Sequence, residues 1–275
     1  MSFLQLEERN IVLMGVANRR SVAWAIAQAL RENGANILYV FKDEGLLQKN
    51  RSLIGEEAKA ICCDVENEAD VKSFGDRVRE VFPVVHGYVH SIAFANYSEG
   101  VKPFHETLRK DFLQAVEISC FSLVETSNQL KDLLSEDASI VTISISTTKM
   151  ASENYGYMGP VKAALDSTVA FLAKSLISEK RRCVRVNAVG PGLLKTSSSA
   201  GIPGYIDAYL YAEKVIPRKR ALATEEPANV AAFLLSPRSS GVNAQTIVVD
   251  AGMSVNYFDR GIVRSVAGGG NMENK

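Results

Sequence analysis

The 275 residues are 47% hydrophobic and 23% charged, a balance that excludes a disordered chain and leaves room for one large core or two small ones. Lysine plus arginine and aspartate plus glutamate each number 31, so no net field draws the chain to nucleic acid or to an anionic membrane. No apolar run approaches the roughly 18 residues of a bilayer span, and the opening MSFLQLEERN lacks the basic and apolar segments of an export signal. In chain order, a strand is expected at Asn10–Met14, a helix near Ser21–Glu32, then strands at Ile37–Phe41 and Ala60–Cys63. A helix near Glu68–Val81 and a strand at Gly87–Ile92 follow, then one long helical stretch, Phe104–Leu134. The remainder alternates in the same way: strand Ser139–Ile145, helix Tyr155–Ser178, strand Val184–Val189, helix Pro227–Leu235 and strand Thr246–Val249.

Strands that are apolar on successive residues, separated by amphipathic helices, imply a parallel sheet covered on both faces. The expectation is therefore a single-domain α/β fold, Rossmann-like and doubly wound, with helices on both faces of the sheet. No Pro/Gly/Ser-rich linker and no solenoid repeat divides the chain, which gives one domain over residues 1–258. The segment from 259 to 275 ends in a glycine run and polar residues and reads as a mobile tail. Cys62, Cys63, Cys120 and Cys183 form no CxxC pair, so reduced thiols in the cytoplasm are expected and no metal site.

The first strand runs into Gly15, and Ser21 is placed to cap a helix whose N-terminus would face a pyrophosphate. Gly15 permits a sharp turn, and Ala17, Ser21 and Ala23 are small enough for close phosphate approach; an ordinary βα turn fits the same residues equally well. Asp64, beyond the third strand with Val65, reads as a partner for an adenine or as the cap of the next helix. Ser91, Ile92 and Ala93 fall beside the nucleotide if the strand order is the expected one. Lys42 comes first after the apolar run Tyr39–Phe41 and would meet a ribose 2′-phosphate, while Asp43 and Glu44 would repel one; NADPH stands slightly ahead of NADH.

Tyr155 and Lys162 lie seven residues apart, and seven helical steps of about 100° return to within roughly 20° of the starting face. Tyr157, five positions before the lysine, would point about 140° away. A hydroxyl that stabilises charge on an oxygen and an ammonium that anchors a ribose are the two roles this pair can fill. After the next strand, the loop Asn187-Ala188-Val189-Gly190-Pro191-Gly192 could reach a nicotinamide carboxamide and the Thr196 hydroxyl a phosphate.

Taken together, Gly15-Val-Ala17-x3-Ser21-x-Ala23, Cys63-Asp64-Val65, the run HSIAFA at His90 to Ala95, Tyr155-x6-Lys162 and NAVGPG resemble the short-chain dehydrogenase/reductase superfamily. More narrowly they resemble its enoyl-acyl-carrier-protein reductase branch, from about Leu6 to Tyr257. The resemblance implies a homotetrameric NADPH- or NADH-dependent enzyme of fatty-acid elongation, acting on an enoyl thioester held by acyl carrier protein. It implies Tyr155 and Lys162 as catalytic residues, and cofactor contacts from Gly15, Ala17, Ser21, Val22, Ala23, Asp64, Val65, Ser91, Ile92, Ala93, Lys162, Pro191 and Thr196, with Lys42 at the ribose. Ala95, Tyr155, Tyr205 and Ile206 would meet the substrate. The segment 196–217 places Tyr205, Ile206, Tyr209 and Leu210 at helical spacing and reads as a lid movable at Gly201 and Gly204 or, equally, as a surface helix packing its apolar stripe on the domain.

Two departures bear on the substrate. Many of these reductases carry a second tyrosine ten residues before the first, and here that position is Ile145, which donates no hydrogen bond. Ser144 and Ser146 would point to the opposite face if the strand continues, and Thr147 follows them. In Val249-Asp250-Ala251-Gly252 one of two usual glycines is an alanine. A ketone-reducing short-chain dehydrogenase and a nucleotide-binding regulator without catalysis therefore stay open as alternatives. The cluster Arg218-Lys219-Arg220 reads either as a contact for an acidic carrier protein or as solvated charge.

Overall fold

The computed structural model describes residues 3–100, 102–146, 148–152, 155–180, 183–196 and 204–266. Seven strands pair in parallel in the order β3-β2-β1-β4-β5-β6-β7. They are β1 Asn10–Met14, β2 Asn36–Phe41, β3 Ala60–Cys62, β4 Val85–His90, β5 Leu134–Ile143, β6 Arg185–Pro191 and β7 Thr246–Val249. Alternate side chains of a strand point to opposite faces, so Val12 and Met14 enter one core while Ile11 and Leu13 enter the other. On the first face pack α3 (Glu68–Val81), α5 (Ser122–Leu130) and α6 (Met158–Lys180), contributing Phe74, Leu123 and Leu165. On the second pack α1 (Val22–Glu32), α2 (Glu44–Ile54) and a later helix, Glu225–Leu235.

Helix α2 was not foreseen. Its buried stripe is only Leu47, Asn50 and Ile54, too narrow and too polar for a strong helical period. Asn50 holds it in place by donating to Leu46 O at 2.9 Å within the helix and to Ala17 O at 3.3 Å in the loop after β1. The expected long helix Phe104–Leu134 is broken instead into a 3-10 turn at Phe104–Glu106, α4 (Arg109–Val116), a π-helical turn at Glu117–Phe121 and α5, with β5 already beginning at Leu134. The extra residue in the π turn carries Ser119 inward, where its hydroxyl accepts from Phe94 N at 2.9 Å.

Past β6, α7 (Tyr205–Val215) covers a small separate cluster of Leu194, Ala212, Ile216 and Leu222, and α8 (Glu225–Leu235) returns to the sheet. The segment expected to be a tail holds a short surface helix, α9 (Arg260–Val266), started by the Asp259 carboxylate accepting from Gly261 N and Ile262 N. Residues 267–275 of that tail lie outside the described residues. Among the described residues no helix is long and apolar enough to cross a membrane.

Gly190, in β6, is the point where the sheet meets the residues that leave β5. A methyl group there would lie 2.8 Å from Ile145 O and 3.1 Å from its carbonyl carbon, both backbone atoms that cannot yield. Gly190→Ala is expected to lower stability by about 1–3 kcal/mol, the usual result of overpacking, read as a shift of the urea midpoint with unchanged slope.

Candidate active site

Because every strand is parallel, the C-terminal ends of β1, β4, β5 and β6 lie along one edge of the sheet, and a cavity of about 670 Å³ opens there. At the β1 end, Gly15 has φ +104°, and a Cβ on it would lie 2.0 Å from Ser91 O, so only glycine permits this turn against β4. Ser21 caps α1 as expected: its hydroxyl donates to Asn18 O at 2.7 Å and accepts from Trp24 N at 3.3 Å. Gly15, Ser21 and Val22 form one end of the cavity.

At the β4 end the strand stops at His90, two residues earlier than expected, and Ser91, Ile92, Ala93 and Ala95 line the cavity as loop. The His90 ring is committed inside the protein, to Thr142 Oγ1 at 3.1 Å and Ser122 Oγ at 2.8 Å. Burial, and then the charge of Lys162, push its pKa down to about 3, so the ring is neutral.

Tyr155 and Lys162 share the cavity wall, as the spacing predicts, although by a different route. Residues 155–157 form a turn in which Gly156 has φ +51°, and α6 begins only at Met158. Tyr157 is turned away, giving its hydroxyl to Asn96 O at 3.0 Å. Lys162 is 3% exposed and donates to Ile143 O at 2.7 Å. Burial lowers its pKa to about 8. The Tyr155 phenol is raised above its ordinary value, first by burial and then by the nearby phenols of Tyr97 and Tyr205.

Pro191, Thr196 and Tyr205 complete the wall. The Tyr205 hydroxyl donates to Leu194 O at 2.6 Å and accepts from Leu194 N at 2.9 Å, tying α7 to the loop after β6. The expected apolar stripe of α7 is corrected. Ile206 is 75% exposed and points to solvent, because the face that starts at Tyr205 continues through Ala208, Tyr211 and Val215. Gly204 precedes the helix with φ +73°, while Gly201, the other expected hinge, lies outside the described residues.

Five expected cofactor residues do not line the cavity: Ala17, Ala23, Lys42, Asp64 and Val65. Val65 is buried in the first core. Lys42 follows β2 directly, but its ammonium is engaged by Glu66 Oε2 at 3.0 Å and Asp64 Oδ2 at 3.4 Å, and Asp43 caps α2 by accepting from Leu46 N at 2.8 Å.

At the end of β5 the strand terminates at Ile143, so Ser144, Ile145 and Ser146 all face the cavity and the alternation that would hide the serines does not apply. Thr147 lies outside the described residues. The sequence reading passed over Tyr97, which lines the cavity from the loop after β4; it stands in no periodic pattern and only its nearness to HSIAFA could have marked it.

A glycine turn leading to a capped helix, beside a half-buried tyrosine and a buried lysine at the switch point of a parallel sheet, defines a dinucleotide-linked oxidoreductase. The donor set fits such a ligand: helix N-H groups for an anion at one end, an ammonium and phenol at the other. The sequence model described as enoyl-(acyl carrier protein) reductase matches residues 15–254. The chain is 36% identical over 254 residues to the NADH-dependent enoyl-[acyl-carrier-protein] reductase FabI of Bacillus subtilis, covering 91% of this chain and 97% of the relative. It is 34% identical over 253 residues to the NADPH-dependent FabI of Staphylococcus aureus, covering 90% and 98%. The crystal structure of the Aquifex aeolicus NADH enoyl-[acyl-carrier-protein] reductase superposes with a TM-score of 0.87 at 29% identity, covering 92% of this chain and 99% of that one. This chain belongs to the enoyl-acyl-carrier-protein reductase family.

The depressed pKa of Lys162 makes it a cost to the fold. Below about pH 8 both folded and unfolded forms carry the proton and the burial penalty is full; between about 8 and the ordinary lysine value near 10.5 only the unfolded form binds it, so stability rises with pH. Lys162→Met is therefore expected to be more stable than the parent at pH 7, by on the order of 3 kcal/mol, with the advantage shrinking toward pH 10 in thermal melts.

Proposed function

We propose that the chain reduces the trans-2 double bond of an enoyl thioester borne by acyl carrier protein, in fatty-acid elongation. The observation that carries this reading is the pairing of a half-buried tyrosine with a buried lysine on one wall of a largely apolar cavity that begins at the Gly15 turn. Family membership supports it. Gly15, Ser21, Val22, Ser91 to Ala93, Lys162, Pro191 and Thr196 would hold the dinucleotide, which when bound supplies a hydride to the β-carbon. Tyr155, kept protonated by burial, donates to the thioester oxygen as negative charge gathers there, and the α-carbon then takes a proton. Lys162, protonated below about pH 8, anchors the ribose and favours the charged state beside it. The lining of Ala95 and Tyr205 is apolar at the substrate end.

The adenosine end favours NADH over the NADPH that the position of Lys42 suggested. The one cation after β2 is already paired with Asp64 and Glu66, and a 2′-phosphate would have to displace them. Arg218 and Lys219 are likewise paired, with Glu226 and Asp259, which leaves little of that cluster's charge for an acidic carrier. Two apolar faces support a homotetramer with two kinds of isologous contact. One carries Leu113, Phe121 and Phe171 on the segment from α4 to α6; the other carries Val248 of β7 with Tyr257 and Phe258 after it.

Cofactor oxidation followed in parallel with crotonyl and acetoacetyl thioesters tests the reaction; preference for the ketone would overturn it. Tyr155→Phe is expected to lower kcat at least about tenfold with cofactor affinity nearly unchanged. The double variant Asp64→Asn with Glu66→Gln should free Lys42 of both carboxylates and raise the NADPH-to-NADH rate ratio several-fold, a gain that shrinks as salt is added. Light scattering should report four subunits, and Phe171→Asp a smaller assembly.

A further inference from the structure

Ile145 leaves a place on the cavity wall without a hydrogen-bond donor, yet two other hydroxyls on that wall lack acceptors. Tyr97 Oη and Ser144 Oγ are both buried, and neither has a hydrogen-bond partner among the described residues. Buried polar atoms are nearly always paired, so an orphan hydroxyl in the wall of a ligand cavity points to a partner that arrives with the ligand.

Tyr97 is the better placed of the two. Its loop is braced on both sides: Asn96 N donates to Tyr157 Oη at 2.9 Å, Tyr157 Oη donates back to Asn96 O at 3.0 Å, and Gly100 N closes onto Tyr97 O at 2.9 Å. The Tyr97 and Tyr157 rings lie 6.1 Å apart at 30°. Tyr157, the tyrosine that points away from the catalytic lysine, thus holds another tyrosine against the cavity. Burial pushes the Tyr97 phenol up to about 12, so it remains a neutral donor at any working pH, and it lies near enough to Tyr155 that each disfavours the other's ionisation. Ser144 has a shorter reach and sits at the β5 end beside the carbonyl that Lys162 occupies.

We propose that Tyr97 is a catalytic residue whose hydroxyl, beside that of Tyr155, donates a second hydrogen bond to the substrate oxygen on which negative charge develops, supplying the donor that Ile145 lacks. The proton stays on the phenol throughout; no bond is made or broken at Tyr97. The proposal rests on the reading of the cavity as a reductase site.

Tyr97→Phe in the full chain keeps the ring and its packing on Tyr157 and removes only the hydroxyl. The expected result is a fall in kcat on crotonyl thioester of at least about tenfold, with the NADH dissociation constant and melting temperature unchanged. Ser144→Ala, measured alongside, should lose less. Full kcat in Tyr97→Phe, or a loss confined to Ser144→Ala, would overturn the proposal. If the parent enzyme reduces acetoacetyl but not crotonyl thioester, the enoyl reading falls alone: ketone reduction also builds charge on an oxygen, and the same comparison of variants on that substrate still decides the role of Tyr97.

Discussion

The hydrogen bond from Lys162 to the Ile143 carbonyl fixes the geometry on which the site depends. It joins α6 to the last residue of β5, so the helix that bears the lysine cannot slide along the sheet without breaking a charge-assisted bond in an apolar interior. Tyr155, one turn before that helix, is thereby set relative to the strand ends, and the backbone that leaves Ile143 is set relative to Gly190 of the next strand. Burying an ammonium against a single carbonyl is a poor use of a lysine if stability were the only demand. The arrangement is what a site needs when it must meet a polar ligand with a cation already desolvated.

Around this anchor the chain satisfies its polar groups locally and leaves others waiting. Ser21 and Asp43 close the starts of α1 and α2, Asn50 ties α2 to the loop after β1, and Ser119 clamps the backbone at Phe94. Each of these bonds holds a loop at the C-terminal edge of the sheet, where the cavity lies. Of the four buried hydroxyls without a partner among the described residues, those of Tyr97 and Ser144 belong to the cavity wall, while those of Tyr39 and Ser127 do not.

Much of the framework was legible because the parallel sheet writes its pattern in continuous apolar runs. β1 and β7 were placed to the residue, and the other strands within a few positions. The pair Tyr155 and Lys162 was legible from spacing, though the helical arithmetic describes a segment that is partly a turn. What stayed hidden depended on tertiary contacts. The π turn at Glu117–Phe121 preserves an apolar period while changing its phase, so Phe104–Leu134 reads as one helix. The end of β5 at Ile143, and with it the exposure of Ser144 to the cavity, is written in no local pattern. Ile206 was misplaced by choosing the wrong of two overlapping faces on α7, and Lys42 was read without the carboxylates that fold onto it from beyond β3.

His90 carries a consequence for how the protein responds to acid. Histidine is the side chain that ordinarily changes charge between about pH 5 and 8, and this one sits on the strand that leads directly into the cavity. With both ring nitrogens engaged by Thr142 and Ser122 and its titration displaced to about 3, it is a fixed, uncharged spacer between β4, β5 and α5. Physiological acidification therefore passes this part of the molecule without altering its charge or its packing. The buried Lys162, whose pKa burial lowers to about 8, titrates on the alkaline side of neutrality instead.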